Sequence, residues 1–490
     1  MKKIISIFIV IFLFGIINRA EAQRFWAVNN YGDTLYYNVT SSVLPYSVEV
    51  TYKGNSSQEF SDEYDSTITI PSTVVHNSIT YNVKSIGENA FRECNSLESV
   101  IIPSSVNSIG SCAFSNSSIR SIALPSSVNN IGEWSFRYCF ELTDFFVPAT
   151  LTQIDFAALY GCYYMQNINV DDNNPNYSSI NGVLFNKLGD TLITCPGGKQ
   201  GNYLITSNVN YISDLAFCYV NLSEIDVEAN NPKYSSLNGI LYNKIMDTLI
   251  ACVTQKTGSV NIPNSVTNIF SNAFFQCNLL NSIIIPSTVN SIGDFAFAYC
   301  DGLTTIQIPN SITKINMGVF YNCERLTSIE IPALVTSIGD QAFSYCNDLI
   351  QIKLNPETPP LIVSSTFVGV SDTALIIVPC NSLTLYQEAD YWCDFTNYYC
   401  FVGLDDYPKI NISTKIYPNP ASKIVNLEIK NSNNKLLTLN IYNSLGILVK
   451  TQRISEKDNQ IDVSDLSNGI YFIDICSDNY NVKQKLVINK

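Results

Sequence analysis

Read from Ser85, one phrase returns along the chain: SIGENAFRECNSLESVIIPSSVN, then SIGSCAFSNSSIRSIALPSSVN, then NIGEWSFRYCFELTDFFVPATLT. Its anchor isoleucines are Ile86, Ile109, Ile131, Ile154, Ile212, Ile269, Ile292, Ile315 and Ile338, in steps of 23, 22, 23, 58, 57, 23, 23 and 23 residues. A unit of ~23 residues cannot bury its own apolar side, so successive units must stack and share one continuous core. The spacing therefore predicts a mainly β solenoid with a parallel sheet and short helical turns, in which each motif position becomes a column.

Within a unit, segments such as Leu97-Glu-Ser-Val-Ile-Ile-Pro103 are β-branched and end at proline, which predicts a short strand closed by a turn. The Ala-Phe segment is expected as a short helical or 3₁₀ turn. In register, Ala90, Ala113, Ala273, Ala296 and Ala342, each followed by Phe, stack into an internal aromatic spine. Each long step carries one copy of an insertion, NNPNYSSINGVLFNKLGDTLITCP from Asn173 and NNPKYSSLNGILYNKIMDTLIACV from Asn230. Turn residues followed by two apolar runs read as hairpins, expected to extend the sheet sideways. The Asp171-Asp172-Asn173-Asn174 cluster loses its acids in the second copy, Val227-Glu228-Ala229-Asn230, and is read as a solvated turn.

The composition narrows the chemistry. Against 42 Asp+Glu stand only 28 Lys+Arg, so no positive field is available to hold phosphate backbones, and nucleic acid is not expected as a partner. A lone histidine, His76, removes multi-histidine metal sites and most nucleophilic relays. No cofactor, metal or catalytic residue is expected. Residues 1–22 place Lys2 and Lys3 before an apolar run from Ile4 to Ile17 and then Ala20-Glu21-Ala22, which reads as a secretory signal peptide. The apolar run is shorter than the ~20 residues a helix needs to cross a bilayer, and no later stretch is long and apolar enough, so no membrane span is expected in the mature chain.

The phrase IPSSVNSIGSCAF, its Cys-x-x-Leu continuation and the NGVLFNK hairpins resemble the BspA-like leucine-rich repeat family of bacterial surface proteins. The resemblance runs over roughly residues 66–400. It implies a cap and first partial repeat over 23–80, repeats over 81–355 with hairpin insertions at 171–200 and 228–257, and a closing cap over 356–404. Asp155, Phe270 and Asn316 replace the repeat glycine, so those rungs are expected to turn differently without loss of the stack.

Of the 15 cysteines, seven recur three residues after the Phe position (Leu159 in one rung): Cys94, Cys139, Cys162, Cys277, Cys300, Cys323 and Cys346. Stacked side chains point the same way, whereas a disulfide needs a roughly perpendicular torsion, so these are read as buried thiols in a ladder. None of the seven lies two to four residues from another, which argues against zinc. Cys380, Cys393 and Cys400 are less regular and leave room for one bridge.

After a linker at 405–412 the chain alternates apolar residues between Asn, Ser and Gly breaks, which predicts a small β-sandwich over 413–490. Tyr417-Pro418-Asn419-Pro420, Gly446, Leu466-Ser-Asn-Gly469-Ile-Tyr471 and Lys485-Leu-Val-Ile-Asn489-Lys490 resemble the type A C-terminal sorting domain of the type IX secretion system of Bacteroidota. That resemblance implies handling by the type IX machinery and a secreted, cell-surface destination on the outer face of the outer membrane.

If strand positions alternate, Val100 and Ile102 face inward and Ile101 faces out. Carried along the stack, the outward position reads Ile101, Ala123, Phe146, Asn169, Asp226, Asn261, Ile284, Gln307, Glu330 and Lys353. Such a flat, mostly uncharged face suits a protein or glycan partner on a host or bacterial surface better than a small molecule. The expected role is surface adhesion or recognition. The alternatives are a passive component of the surface coat, and a glycan-active enzyme, which would need two carboxylates ~5 to 9.5 Å apart in a cleft. The repeat is expected to build a convex and flat body without one.

Overall fold

The structure, a computed structural model, describes residues 24–54, 64–401, 414–429, 437–443, 448–454, 460–477 and 480–490. The signal peptide, the 405–412 linker and Gly446 lie outside the described residues. The chain divides into two compact units after Tyr399.

The first unit is a solenoid held by three ladders, each running from rung to rung. One is built from the β-branched segments: Ser66–Thr69 lies parallel to Leu97–Ile101 and this to Ser121–Ile122, and Thr305–Gln307 leads through Ser328–Ile331 and Gln351–Leu354 to Leu375–Pro379. A proline follows within three residues in most rungs. Lacking an N–H it ends the strand, and its carbonyl accepts from the residue three on, as Pro103 does from Val106 (3.1 Å) and Pro286 from Val289 (3.1 Å). The second ladder is the isoleucine column. Ile86, Ile109, Ile131 and Ile154 pair in unbroken register, as do Ile269 with Ile292 and Ile315 with Ile338. Eight of the nine isoleucines are buried and Ile154 is partly so.

The third ladder corrects an expectation. The Ala-Phe segments are consecutive turns and not helix. Alternate N–H groups bond the neighbouring rung, Asn89 to Ser111 (3.0 Å), Phe91 to Ala113 (2.7 Å) and Glu93 to Ser115 (2.8 Å), while Ala90 and Arg92 bond back within their own rung. This zigzag needs left-handed residues at fixed places, and Asn89, Glu93, Cys112 and Asn116 all have φ between 53° and 60°.

The hairpins also differ from the expected sideways extension. Tyr177–Ile180 and Val183–Asn186 form the hairpin, but the chain then turns into Thr191–Thr194, which pairs parallel with Tyr211–Ile212 and puts Leu192 in register with Ile212. The second copy sets Leu249 beside Ile269 in the same way. Each insertion thus threads an additional rung into the isoleucine column. The Asn-Asn-Pro turn is anchored by a buried asparagine: Asn174 Nδ2 donates to the carbonyls of Pro148 and Leu151 (both 2.8 Å), and its Oδ1 accepts from the N–H groups of Asn176 and Tyr177. Asn231 repeats the arrangement.

Inside, the phenylalanines stack. Phe91, Phe114 and Phe136 lie 5.2 and 5.1 Å apart with nearly parallel rings, and Phe274, Phe297, Phe320, Phe343 and Phe367 continue at 5.2 to 5.5 Å. Tyr64 abuts one end of the spine and Trp392 the other. Beside it runs the thiol ladder. Cys139, Cys162, Cys300, Cys323 and Cys346 each donate through Sγ to the carbonyl of the Phe of an earlier rung, at 3.0 to 3.2 Å. All seven ladder cysteines are buried and outside any disulfide. Cys380 and Cys400 are disulfide-bonded, and Cys393 is a free, exposed thiol.

The second unit has two antiparallel sheets, Thr414–Tyr417, Ile424–Ile429 and Gln460–Asp462 in one, and Leu437–Asn443, Leu448–Ile454, Gly469–Ser477 and Tyr480–Ile488 in the other. They share a core that includes Val425, Leu427, Leu439, Ile441, Ile473 and Leu486.

Two measurements check this packing. Phe297→Ala, which opens a gap between Phe274 and Phe320, is expected to lower unfolding stability by about 3 to 5 kcal/mol in denaturant titration. Burial pushes the Cys139 thiol up to about 12, so iodoacetamide at pH 8 is expected to alkylate Cys393 in the native protein and the ladder thiols only after unfolding; native labelling of Cys139 in mass spectra would contradict the ladder.

Candidate functional site

Two surfaces of the solenoid present side chains in register. On the strand face the alternation is as expected: Val100 and Ile102 are buried while Ile101 is 56 % exposed. Phe146 is 50 % and Ile284 58 % exposed. Ala123, Asn169, Asn261, Gln307 and Glu330 are exposed too, and Asp226 and Lys353 are half-buried. Register brings Phe146 beside Asn169, Asn261 beside Ile284, and Gln307, Glu330 and Lys353 into one row. Ile101 and Phe146 do not touch, because the Ala123 rung stands between them. Of the charged members Asp226, Glu330 and Lys353, the last two pair: Lys353 Nζ donates to Glu330 Oε1 at 2.8 Å, Asn355 Nδ2 donates to the same oxygen, and these bonds hold the Glu330 carboxyl below its usual range.

The column has one further member. Leu204, 52 % exposed, lies on Asn202–Ile205 in register with Asp226. Its signal was in the sequence, since Tyr203-Leu-Ile-Thr-Ser-Asn-Val-Asn210 follows the pattern of Val100-Ile-Ile-Pro-Ser-Ser-Val-Asn107 with threonine in place of proline.

The turn face was not anticipated. It carries a groove of about 550 Å³ lined by Trp134, Arg137, Tyr138, Phe156, Tyr160, Phe275, Phe295, Tyr299 and Tyr321, with Asp214, Asn272, Asp294 and Gln341 among its polar walls. The expectation of a body without a cleft is therefore corrected, and the cause lies in the insertions. Their additional rungs meet the turn ladder only as Cys195-Pro-Gly-Gly and Cys252-Val, without the Ala-Phe phrase and its outward residues. The full rungs on either side close over these short ones: Tyr160 meets Tyr219, and Tyr219 meets Phe275, each pair edge to face at 5.0 Å. The chain of rings continues through Tyr299, Tyr321 and Tyr345.

Several of these rings stand where the backbone disfavours them. Trp134, Tyr138, Tyr219, Phe295, Tyr299 and Tyr345 have φ between 54° and 61°, a conformation costing a bulky L-residue roughly 1–2 kcal/mol. Corresponding positions in other rungs hold Asn89, Asn116, Gly161, Asn272, Gly318 and Asn322, which tolerate it. Two of those glycines make room for the rings. A Cβ on Gly161 would lie 2.3 Å from Tyr138 Cδ1, and one on Gly318 2.2 Å from Phe295 Cε1.

Arg137 lies over the rings of Trp134 and Tyr138, 5.0 and 4.4 Å from their centroids. Its Nη2 donates to Tyr138 Oη at 3.3 Å, its buried Nε has no hydrogen-bond partner, and among the described residues no carboxylate pairs with it. Tyr138 and Tyr219 share a hydroxyl hydrogen bond of 3.0 Å, and burial keeps the Tyr160 and Tyr219 phenols far above their usual range and neutral.

In the second unit the sorting residues divide. Tyr417, Pro418, Asn419, Pro420, Gly469 and Lys485 are exposed and Tyr471 is buried, its hydroxyl donating to Ser467 O at 3.0 Å. Asn419 ties the Pro-Asn-Pro turn to the last strand, with Nδ2 donating to Lys485 O (2.7 Å) and Oδ1 accepting from Val487 N (2.8 Å).

Residues 57–188 and 250–371, together more than half of the chain, match the BspA type leucine rich repeat region in six copies. The chain belongs to the BspA-type leucine-rich repeat family. Residues 415–489 match the secretion system C-terminal sorting domain. This BspA-type protein is thus a secreted, cell-surface leucine-rich repeat protein with a type IX sorting tail. It is similar to three solved structures. A leucine rich cell surface protein from Faecalibacterium prausnitzii A2-165 is 25% identical over 78% of this chain and 96% of its own, with a TM-score of 0.41. The pneumococcal vaccine antigen PcpA is 17% identical over 77% and 98%, with a TM-score of 0.45. A leucine-rich repeat protein from Bacteroides ovatus ATCC 8483 is 18% identical over 75% and 98%, with a TM-score of 0.26. No curated relative matches the chain. No helix among the described residues is long and apolar enough to cross a membrane.

The two sides of the strand face make a direct test. Phe145→Ser removes a buried ring and is expected to cost about 3 to 5 kcal/mol, whereas Phe146→Ser one residue on stays within about 0.5 kcal/mol; denaturant midpoints of the two variants would have to coincide for the alternation to be wrong.

Proposed function

We propose that this BspA-type protein is a surface recognition and adhesion protein whose solenoid displays its outer faces to a protein or glycan partner of a host or another bacterium. The observation that carries the reading is the outward column from Ile101 to Lys353, which presents apolar and amide side chains in fixed register with its only described ion pair closed on itself. Backbone groups of inner strands are bonded to their neighbours, so the face offers side chains alone to a partner. Export by the type IX machinery through residues 413–490, with Tyr417 to Pro420, Gly446, Gly469, Tyr471 and Lys485 as the sorting signal, delivers that face outside the cell. A catalytic role is disfavoured by the lone histidine: His76 stacks on Phe25 at 4.1 Å and its Nε2 shares a hydrogen bond with Asn77.

Cell-surface fractionation tests the export half: the full chain is expected in the outer-surface fraction and a chain ending before residue 413 inside the outer membrane. For the recognition half, the full chain immobilised on a sensor is expected to bind its partner saturably, with at least tenfold weaker affinity in Phe146→Ser. Lateral self-association with no saturable partner would instead make it a passive coat component.

A further inference from the structure

We propose that the turn-face groove is a saccharide-binding site, separate from the strand face, which takes a neutral, hydroxyl-rich oligosaccharide. Its volume of about 550 Å³ lies within the ~300–1,000 Å³ usual for ligand sites, and its lining follows their pattern of aromatic walls with a few convergent polar groups. Rings arranged edge to face leave some flat faces open, against which the C–H face of a pyranose can lie. Such rings stand at left-handed positions that asparagine or glycine would fill without strain, and Gly161 and Gly318 recede beneath two of them. Filling the inner core does not account for that choice at Trp134, Tyr138, Phe295 and Tyr299, because Phe136 and Phe297 of the internal spine already fill those rungs.

The polar groups select the ligand. Arg137 stands in the groove lining without a carboxylate partner among the described residues, so its guanidinium is available to donate to a ligand oxygen. Asp214 and Asp294 on the walls accept hydrogen bonds, and Asn272 and Gln341 do both. A sugar hydroxyl also donates and accepts, so it matches this mixture, whereas a polyanion would meet two carboxylates. A peptide strand is poorly served as well. The backbone N–H groups of Trp134, Tyr138, Phe295 and Tyr299 are already bonded to the carbonyls of Phe156, Tyr160, Met317 and Tyr321, leaving no free edge for it to extend.

The test uses the groove's own fluorophore. Of the three tryptophans, Trp392 is fully buried and Trp26 can be silenced by Trp26→Phe, leaving Trp134 in the groove as the reporter. The full mature chain with that change is titrated with maltohexaose, cellohexaose, laminarihexaose and mannohexaose, and separately with an oligogalacturonate. At least one neutral hexasaccharide is expected to change Trp134 emission saturably. Tyr138→Asn combined with Tyr299→Asn should weaken that binding at least tenfold while leaving the melting temperature within a few degrees, because asparagine accepts the left-handed backbone. Phe146→Ser should leave it unchanged. Absence of saturable binding by all four neutral sugars, binding by the oligogalacturonate alone, undiminished affinity in the double variant, or loss of affinity in Phe146→Ser would each overturn the proposal.

Discussion

The rung-to-rung backbone hydrogen bond is the interaction on which everything else in the solenoid rests. A unit of ~23 residues has an apolar side but no second layer to close it, so its only route to a core is the next unit. The chain meets this with three ladders per rung, strand, isoleucine pair and turn, and in each the N–H groups of one rung meet carbonyls of a neighbour. Once that register is fixed, identical positions fall into columns whether or not the column is useful. Phenylalanines become a stack, isoleucines a seam and cysteines a file of thiols.

The thiol file shows how strongly register governs chemistry. The periplasm that an exported chain must cross is oxidising, and rung spacing alone would let neighbouring cysteines approach within bridging distance. Their side chains instead point the same way, five of the seven Sγ atoms are engaged by the carbonyl of the Phe on an earlier rung, and burial raises Cys139, Cys162 and Cys323 well above the usual thiol range. The reactive thiolate is thereby suppressed. Cys380 and Cys400, outside the columns, are the ones found oxidised.

What the sequence made legible follows the same rule. Periodicity alone reveals the stack, the inward alternation at Val100 and Ile102 and the aromatic spine, because each is a consequence of translation by one rung. It does not reveal that the Ala-Phe segment is a chain of turns, since left-handed φ at Glu93 or Tyr138 is imposed by the neighbouring rung and not by the residue's own preference. Nor does it show where the additional rungs go. Leu192 and Leu249 lack the phrase that marks the other rungs, and Leu204 lacks the proline that marks the strand end, so all three fall out of a pattern built on those signals. The groove was hidden for a related reason: Tyr138 and Tyr219 are 81 residues apart and meet only because the Cys195 rung between them is shortened.

Departures from the repeat are therefore more informative about recognition than the repeat itself. A perfect array would expose the same flat faces along its whole length, with nothing to distinguish one rung from another. The two hairpin insertions break that uniformity by adding rungs to the isoleucine column while withholding the outward residues of the turn phrase. A depression follows wherever full rungs flank short ones, and its depth is set by how far their side chains reach across. Aromatic rings at Trp134, Tyr138, Phe295 and Tyr299 reach furthest, at the cost of a backbone that asparagine would occupy more comfortably. Shape and strain thus converge on one stretch of one face, from the Trp134 rung to the Gln341 rung. The same stretch holds Arg137, whose Nε is buried without a partner. In a body whose other rungs are nearly interchangeable, three independent departures in one place define a site by the physics of the fold, before any ligand is considered.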